Sequence, residues 1–139
     1  MKRYLLDSNA LNLFMSRRGG IFDRVSEQRR TGSIIGTAIP VVAEFLGGVL
    51  YSDTWEKNYP KVEHRLNLLK LWPFDLVAAR QYAHLYAQMR RNGIQMQVID
   101  RMVAAIALVI PSCIVISNDS DFGRVDGLRV ENWELSSRE

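Results

Sequence analysis

Tyr4-Leu5-Leu6-Asp7-Ser8-Asn9 is the stretch that decides the fold class. A short apolar run followed at once by an acid reads as a buried strand ending on a carboxylate. The same order recurs in Cys113-Ile-Val-Ile-Ser-Asn-Asp119. Two more acids sit within or beside apolar sequence. Glu44 lies inside Pro40-Val-Val-Ala-Glu-Phe-Leu46, and Asp100 opens the run Arg101–Leu108. Carboxylates are rare in such places, because burying an unpaired charge is expensive. Four of them, spread along the chain yet each next to core-type sequence, point to one shared acidic pocket. The natural occupant of such a pocket is a hard divalent cation, Mg²⁺ or Mn²⁺.

Working outward from Asp7, either Ser8 or Asn9 caps a helix through Leu11, Phe14 and Met15 that Gly19-Gly20 ends. A second helix covers Ile21 to Arg29. Ser33–Thr37 is the second strand, and Pro40 sits in a first helical turn, where proline is tolerated. Val41, Val42, Phe45 and Val49 then repeat at helical spacing. Asn58 to Leu71 is helical in pattern, with Val62, Leu66 and Leu69 as its stripe. Leu71–Phe74 is short and extended, since residues before proline avoid the α region. Asp75 caps a long helix to Arg91, with Ala79, Ala83, Tyr86 and Met89 as its packing face. A last helix runs from near Val98 to before Pro111, followed by strands at Cys113–Ser117 and Leu128–Val130. Strands alternating with helices predict an α/β domain with a mainly parallel sheet. In such sheets sites form beyond the carboxyl ends of the strands, where Asp7 and Asp119 lie.

The 139 residues suffice for one ordinary core, read as a single domain over 1–135 with a polar tail at 136–139. Apolar content of 47% is that of a soluble globular chain, and the formal charge of +3 gives no strong basic field. The lone cysteine, Cys113, lies in an apolar run and reads as a buried structural thiol. The longest apolar stretch, Met102–Ile116, is too short to span a bilayer and is broken by Pro111-Ser112. With no secretory signal after Met1-Lys-Arg, a cytoplasmic location is expected. Arginine pairs at Arg17-Arg18, Arg29-Arg30 and Arg90-Arg91 are either solvated helix ends or phosphate contacts.

Each acid also has a plain structural explanation. Asp7 caps a turn, Glu44 is a partly exposed helix residue or pairs with an arginine, Asp100 sits in a first helical turn, and Asp119 makes an Asx-turn. What favours the shared pocket is that all four abut core sequence and that the strand–helix order brings them to one edge. Ionised together they require a cation, since like charges raise one another's pKa. Two divalent ions would neutralise them and suit phosphodiester hydrolysis. Asp121 is a second candidate beside Asp119, either orienting a water or capping Phe122-Gly-Arg. Ser117 either hydrogen-bonds a ligand carboxylate or is an ordinary strand-end serine. Asn9 either orients Asp7 or caps the first helix. His64 and His84, both within helices, are poor catalytic candidates. No P-loop, GxGxxG, HExxH or GxSxG motif is present.

Leu5–Phe14 (LLDSNALNLF), Pro40–Gly48 (PVVAEFLGG), Val98–Leu108 (VIDRMVAAIAL) and Ile116–Trp133 together resemble the PIN domain. The closing GLRVENW and the segment Pro73–Gly93 look like VapC-type ribonuclease toxins of toxin–antitoxin pairs. The resemblance covers nearly the whole chain. It implies a three-layer α/β/α fold with a four- or five-stranded parallel sheet, and Mg²⁺- or Mn²⁺-dependent endoribonuclease activity. It places the metal ligands at Asp7, Glu44, Asp100 and Asp119. It further implies a homodimer and a co-expressed antitoxin whose C-terminal segment fills the acidic groove in a hetero-oligomer. The chain departs from the family where Gln95–Ile99 replaces a glycine-containing turn before the third acid. Two rivals remain at this level: a metal-dependent phosphatase using Asp7, and a non-catalytic RNA- or protein-binding module on the same fold.

Overall fold

The computed structural model describes residues 1–135; the tail read at 136–139 lies outside the described residues. Five short strands carry the architecture: β1 (Arg3–Leu6), β2 (Ile34–Ala38), β3 (Lys70–Trp72), β4 (Cys113–Ile116) and β5 (Arg129–Glu131). They form one parallel sheet in the order β3-β2-β1-β4-β5. β1 and β4 are almost wholly apolar and buried, as strands covered on both faces must be. Thr37 secures the end of β1, its hydroxyl donating to the Leu6 carbonyl at 2.7 Å. At Gly36 a Cβ would lie 2.1 Å from the Lys70 carbonyl oxygen, so only glycine lets β2 approach β3.

The connectivity explains where a site can form. From β1 the chain moves outward to β2 and β3, then crosses back to place β4 on the other side of β1. The crevice between the carboxyl ends of β1 and β4 is therefore the topological switch point. Leu6 pairs with Ile116, so the residues that follow, Asp7 and Ser117, emerge side by side.

The helices are α1 (Ser8–Ser16), α2 (Ile21–Arg30), α3 (Ile39–Tyr51), α4 (Trp55–Leu66), α5 (Leu76–Arg91) and α6 (Val98–Val109). A single-turn 3₁₀ segment, Ser120–Arg124, follows β4. Asp75 caps α5 as expected, accepting from the Ala78 amide. α1 differs: its cap is Asp7, not Ser8 or Asn9. It ends at Ser16, before the two glycines, with Arg17 in the left-handed conformation at φ 55°. Arg29-Arg30 and Arg90-Arg91 fall in last helical turns, where cations meet the negative dipole end.

Two elements depart from the periodicity reading. α4 starts at Trp55, ahead of Asn58, and stops at Leu66. Residues 67–69 turn instead, so that Lys70–Trp72 can pair with β2. Leu69 stays buried, which is why it matched the helical stripe without being helical. On α5 the buried residues are Ala78, Leu85 and Met89, while Ala83 and Tyr86 face outward. Small alanines on both sides of this helix left its apolar stripe ambiguous. Among the tryptophans, Trp72 and Trp133 are core residues but Trp55 is exposed. Phe14 and Phe122 are the largest fully buried side chains; each contributes about 1.5–3 kcal/mol of burial.

Candidate active site

Asp7 is the innermost acid. It is 3% exposed, directly after the central strand, with its amide donating to the Ile116 carbonyl at 3.1 Å. One carboxylate oxygen, Oδ1, accepts from the Ala10 amide at 2.8 Å and caps α1. Burial pushes its pKa up. Hydrogen bonds from the Ser117 hydroxyl and the Ala10 and Asn9 amides pull it back, and the negative charge of Asp119 pushes it up further. The capping role and a site role are thus compatible: the cap from the Ala10 amide falls on Oδ1 and fixes the carboxylate.

Asp119 stands across the crevice, at the end of the β4 segment. Its amide donates to Ser117 Oγ at 2.9 Å, and its own Oδ1 accepts from the Asp121 amide at 2.9 Å. Ser117 is itself buried, and its hydroxyl links the two acids, donating to the Asp7 carboxylate while accepting from the Asp119 amide. Asp121 is held elsewhere: Arg124 Nη2 lies 2.7 Å from its Oδ1 and also donates to the Gln95 carbonyl. Phe122, between them in sequence, is fully buried and anchors the acid-bearing turn to the core.

Asp100 enters from the first turn of α6, and Glu44 from the middle of α3 on an exposed face. That all of these acids share one region is registered most clearly at Asp100. Its pKa is raised from 3.8 to about 6, first by burial and then by the charges of Asp119, Asp7, Asp121 and Glu44. Among the described residues no lysine or arginine pairs with Asp7, Glu44, Asp100 or Asp119; the ion pair at this edge is Arg124–Asp121. The sequence candidates are therefore brought together as a negative cluster lacking an internal counter-charge.

Among the described residues, no group of three His, Cys, Asp or Glu side chains stands close enough together to hold a metal ion by itself. An open arrangement fits Mg²⁺ or Mn²⁺, which commonly take one or two carboxylates and complete their shells with water and substrate phosphate. It does not fit a covalent aspartyl mechanism. That mechanism usually wants a lysine beside the phosphate, and among the described residues no lysine forms a salt bridge with any of these acids.

A cavity of about 540 Å³ adjoins the cluster. Glu44 forms part of its wall together with Asn9, Asn12, Ser52 and Asn58, over an apolar floor that includes Phe45 and Val49. Asn9 contributes its backbone amide to Asp7 and also lines this wall. Asn12, Ser52 and Asn58 were not singled out from the sequence. The spacing of Asn12 one helical turn after Asn9 was the signal available for the first; Ser52 and Asn58 come from other segments and had none.

Comparison with known proteins agrees with this architecture. Residues 4–128 match the PIN domain. The chain is 24% identical over 131 residues to Ribonuclease VapC2 of Rickettsia felis, covering 94% of this chain and 98% of that protein. It is 26% identical over 133 residues to the tRNA(fMet)-specific endonuclease VapC of Shigella flexneri, covering 96% and 99%. Among solved structures, VapBC2 of Rickettsia felis bound to a promoter DNA fragment superposes with a TM-score of 0.86 at 22% identity, covering 95% of this chain and 99% of that one. DNA-bound VapBC of Salmonella typhimurium gives 0.85 at 24% identity, covering 96% and 99%. With the family match spanning nearly the whole parallel α/β domain, and the acids at its switch point, this chain belongs to the PIN domain family.

Proposed function

We propose that the protein is a divalent-metal-dependent endoribonuclease that acts as the toxin of a toxin–antitoxin pair. The observation that carries the chemistry is the group of acids at the β1/β4 switch point without a basic partner. The relatives named as a ribonuclease and as a tRNA endonuclease support RNA as the substrate class.

Asp7, Glu44, Asp100 and Asp119 would hold Mg²⁺ or Mn²⁺, two ions in the full complex. Bound there, the metal would supply charge neutralisation for the phosphodiester and a water acidic enough to attack it at neutral pH. The Ala10 amide and the Ser117 hydroxyl hold the Asp7 carboxylate in one orientation. Asp119 is favoured over Asp121 as the ligand on its turn, because Arg124 already neutralises Asp121. Asp100 must lose its proton before it can bind a cation, which ties metal loading to pH near 6.

A small antitoxin with a basic C-terminal segment would be drawn to the same acids, an arginine replacing the metal's charge. Solved relatives described as VapBC complexes support such a partner, and we place the protein as a homodimer within that assembly. A cytoplasmic setting follows from an RNA substrate; no helix among the described residues is long and apolar enough to cross a membrane.

The test is cleavage of structured RNA by the purified chain with Mg²⁺ or Mn²⁺, with EDTA as control. Cleavage should require the metal and vanish in Asp7→Asn and Asp119→Asn. Full activity in EDTA or in either variant contradicts the proposal.

A further inference from the structure

A second cavity, about 530 Å³, lies against the loop that joins α5 to α6. Its wall includes Tyr86, Arg90, Gln95, Met96 and Arg101, and no carboxylate lines it. Two features single it out. Arg101 is 9% exposed, yet no acid pairs with it among the described residues. Its Nη1 donates to the Tyr82 hydroxyl at 3.2 Å and its Nη2 to the Met96 carbonyl, while Nε–H has no partner. The guanidinium lies 5.6 Å from the Tyr82 ring centre and 5.2 Å from that of Tyr86. Neutral oxygens and ring faces hold the cation but do not cancel its charge, and a buried uncompensated charge is costly. The second feature is Arg90, exposed at the rim, whose Nη1 donates to the Tyr86 hydroxyl at 3.3 Å. Two arginines thus flank one tyrosine, Tyr86, which is 41% exposed.

The position of this cavity matters as much as its charge. Arg101 follows Asp100 in the first turn of α6, so successive side chains of one rigid element reach the acid cluster and the cavity. Arg124 donates to the Gln95 carbonyl and pairs with Asp121, tying the cavity's loop to the acid-bearing turn. A flexible polyanion lying across Asp100 would meet a negative centre that metal neutralises, then a permanently positive pocket beside it.

We infer that this cavity is a substrate subsite: it takes a backbone phosphate of single-stranded RNA next to the cleaved bond, on Arg101 and Arg90, with the neighbouring base stacked on Tyr86. The inference rests on the ribonuclease reading and adds a specificity determinant to it. Arginine suits the role through its planar fork, and an aromatic face accepts any base. The site would favour unpaired RNA, because a base within a duplex cannot present its face to a tyrosine.

The experiment measures binding of a short fluorescein-labelled single-stranded RNA to the cleavage-inactive Asp7→Asn chain, by anisotropy across a salt series. Each lost phosphate contact lowers the slope of log affinity against log salt by about 0.7 for single strands. Arg90→Gln should lower the slope by that amount. Tyr86→Ala should weaken binding about tenfold with the slope unchanged, since stacking carries no counter-ion release. Both residues are exposed, so neither change depends on how the core tolerates loss of Arg101; Arg101→Gln, if it folds by circular dichroism, should lower the slope as well. Parent-like slope and affinity in both Arg90→Gln and Tyr86→Ala, alongside normal RNA binding by Asp7→Asn, overturn the subsite alone. Failure of Asp7→Asn to bind RNA at all overturns it together with the nuclease reading. Calorimetric binding of AMP, with RNA binding unaltered in both variants, assigns the cavity to a free nucleotide and also overturns the inference.

Discussion

Removing the Asp100 charge should stabilise the metal-free protein, by an amount that depends on pH. The folded-state pKa is raised from 3.8 to about 6, so the native protein holds a proton on Asp100 that the unfolded chain releases. The stability of the parent therefore falls as pH rises from about 4 through about 6, and is flat above. At full strength such a rise corresponds to about 3 kcal/mol. Asp100 is only partly buried, and solvent and salt screen its neighbours, so about 1–1.5 kcal/mol is the working figure. For a chain of this size that is a gain on the order of 3–7 °C in Tm for Asp100→Asn. The assay is thermal unfolding by circular dichroism in EDTA from pH 4 to pH 8, parent against variant. The gap should be near zero at pH 4, open through pH 6 and hold constant beyond. Added Mg²⁺ or Mn²⁺ should then reverse the order, because the cation stabilises by mass action the chain that binds it more tightly. A pH-independent gap, or a parent more stable than the variant at pH 8 in EDTA, would refute the reasoning that the acids repel one another through a shared site.

RNA cleavage at limiting metal should rise with pH through about 6 as Asp100 ionises, and saturating metal should move that midpoint lower; a profile indifferent to metal concentration contradicts this. Asp7→Asn and Asp7→Ala should both abolish cleavage, but the alanine variant should be less stable by about 1 kcal/mol in urea unfolding, because only asparagine keeps the cap on the Ala10 amide. Phe122→Ala should cost about 3–5 kcal/mol in the same assay and weaken metal binding, since that side chain fastens the Asp119 turn to the core.

What the sequence made legible follows from how local each signal is. Tyr4–Leu6 and Cys113–Ile116 are apolar runs ended by polar residues, and both are central strands of the sheet. A parallel α/β domain follows from alternation along the chain, and so does the carboxyl-end position of Asp7 and Asp119. β3 was harder, because its three residues gain their extended form from pairing with β2 rather than from their own pattern. The face of α5 is not legible from its pattern because alanines occur on several sides of it, and Tyr86, on the expected packing face, is an exposed neighbour of Arg101. Arg101 itself gave no sign in the sequence: inside an α6 read as core and acid, nothing local reveals that its charge is buried against two tyrosines from α5. The link from Arg124 to Asp121 and Gln95 is equally non-local at its far end, and it decides which acid of that turn stays free.

The proposed mechanism stands on Asp7, Glu44, Asp100 and Asp119 forming one cation site at the switch point between β1 and β4. The most direct measurement is the anomalous-difference map of a crystal of the chain grown with Mn²⁺. Strong density is expected between the Asp7, Asp100 and Asp119 carboxylates, with Glu44 at its edge. Density absent there at saturating Mn²⁺, or bound only elsewhere on the molecule, would contradict it.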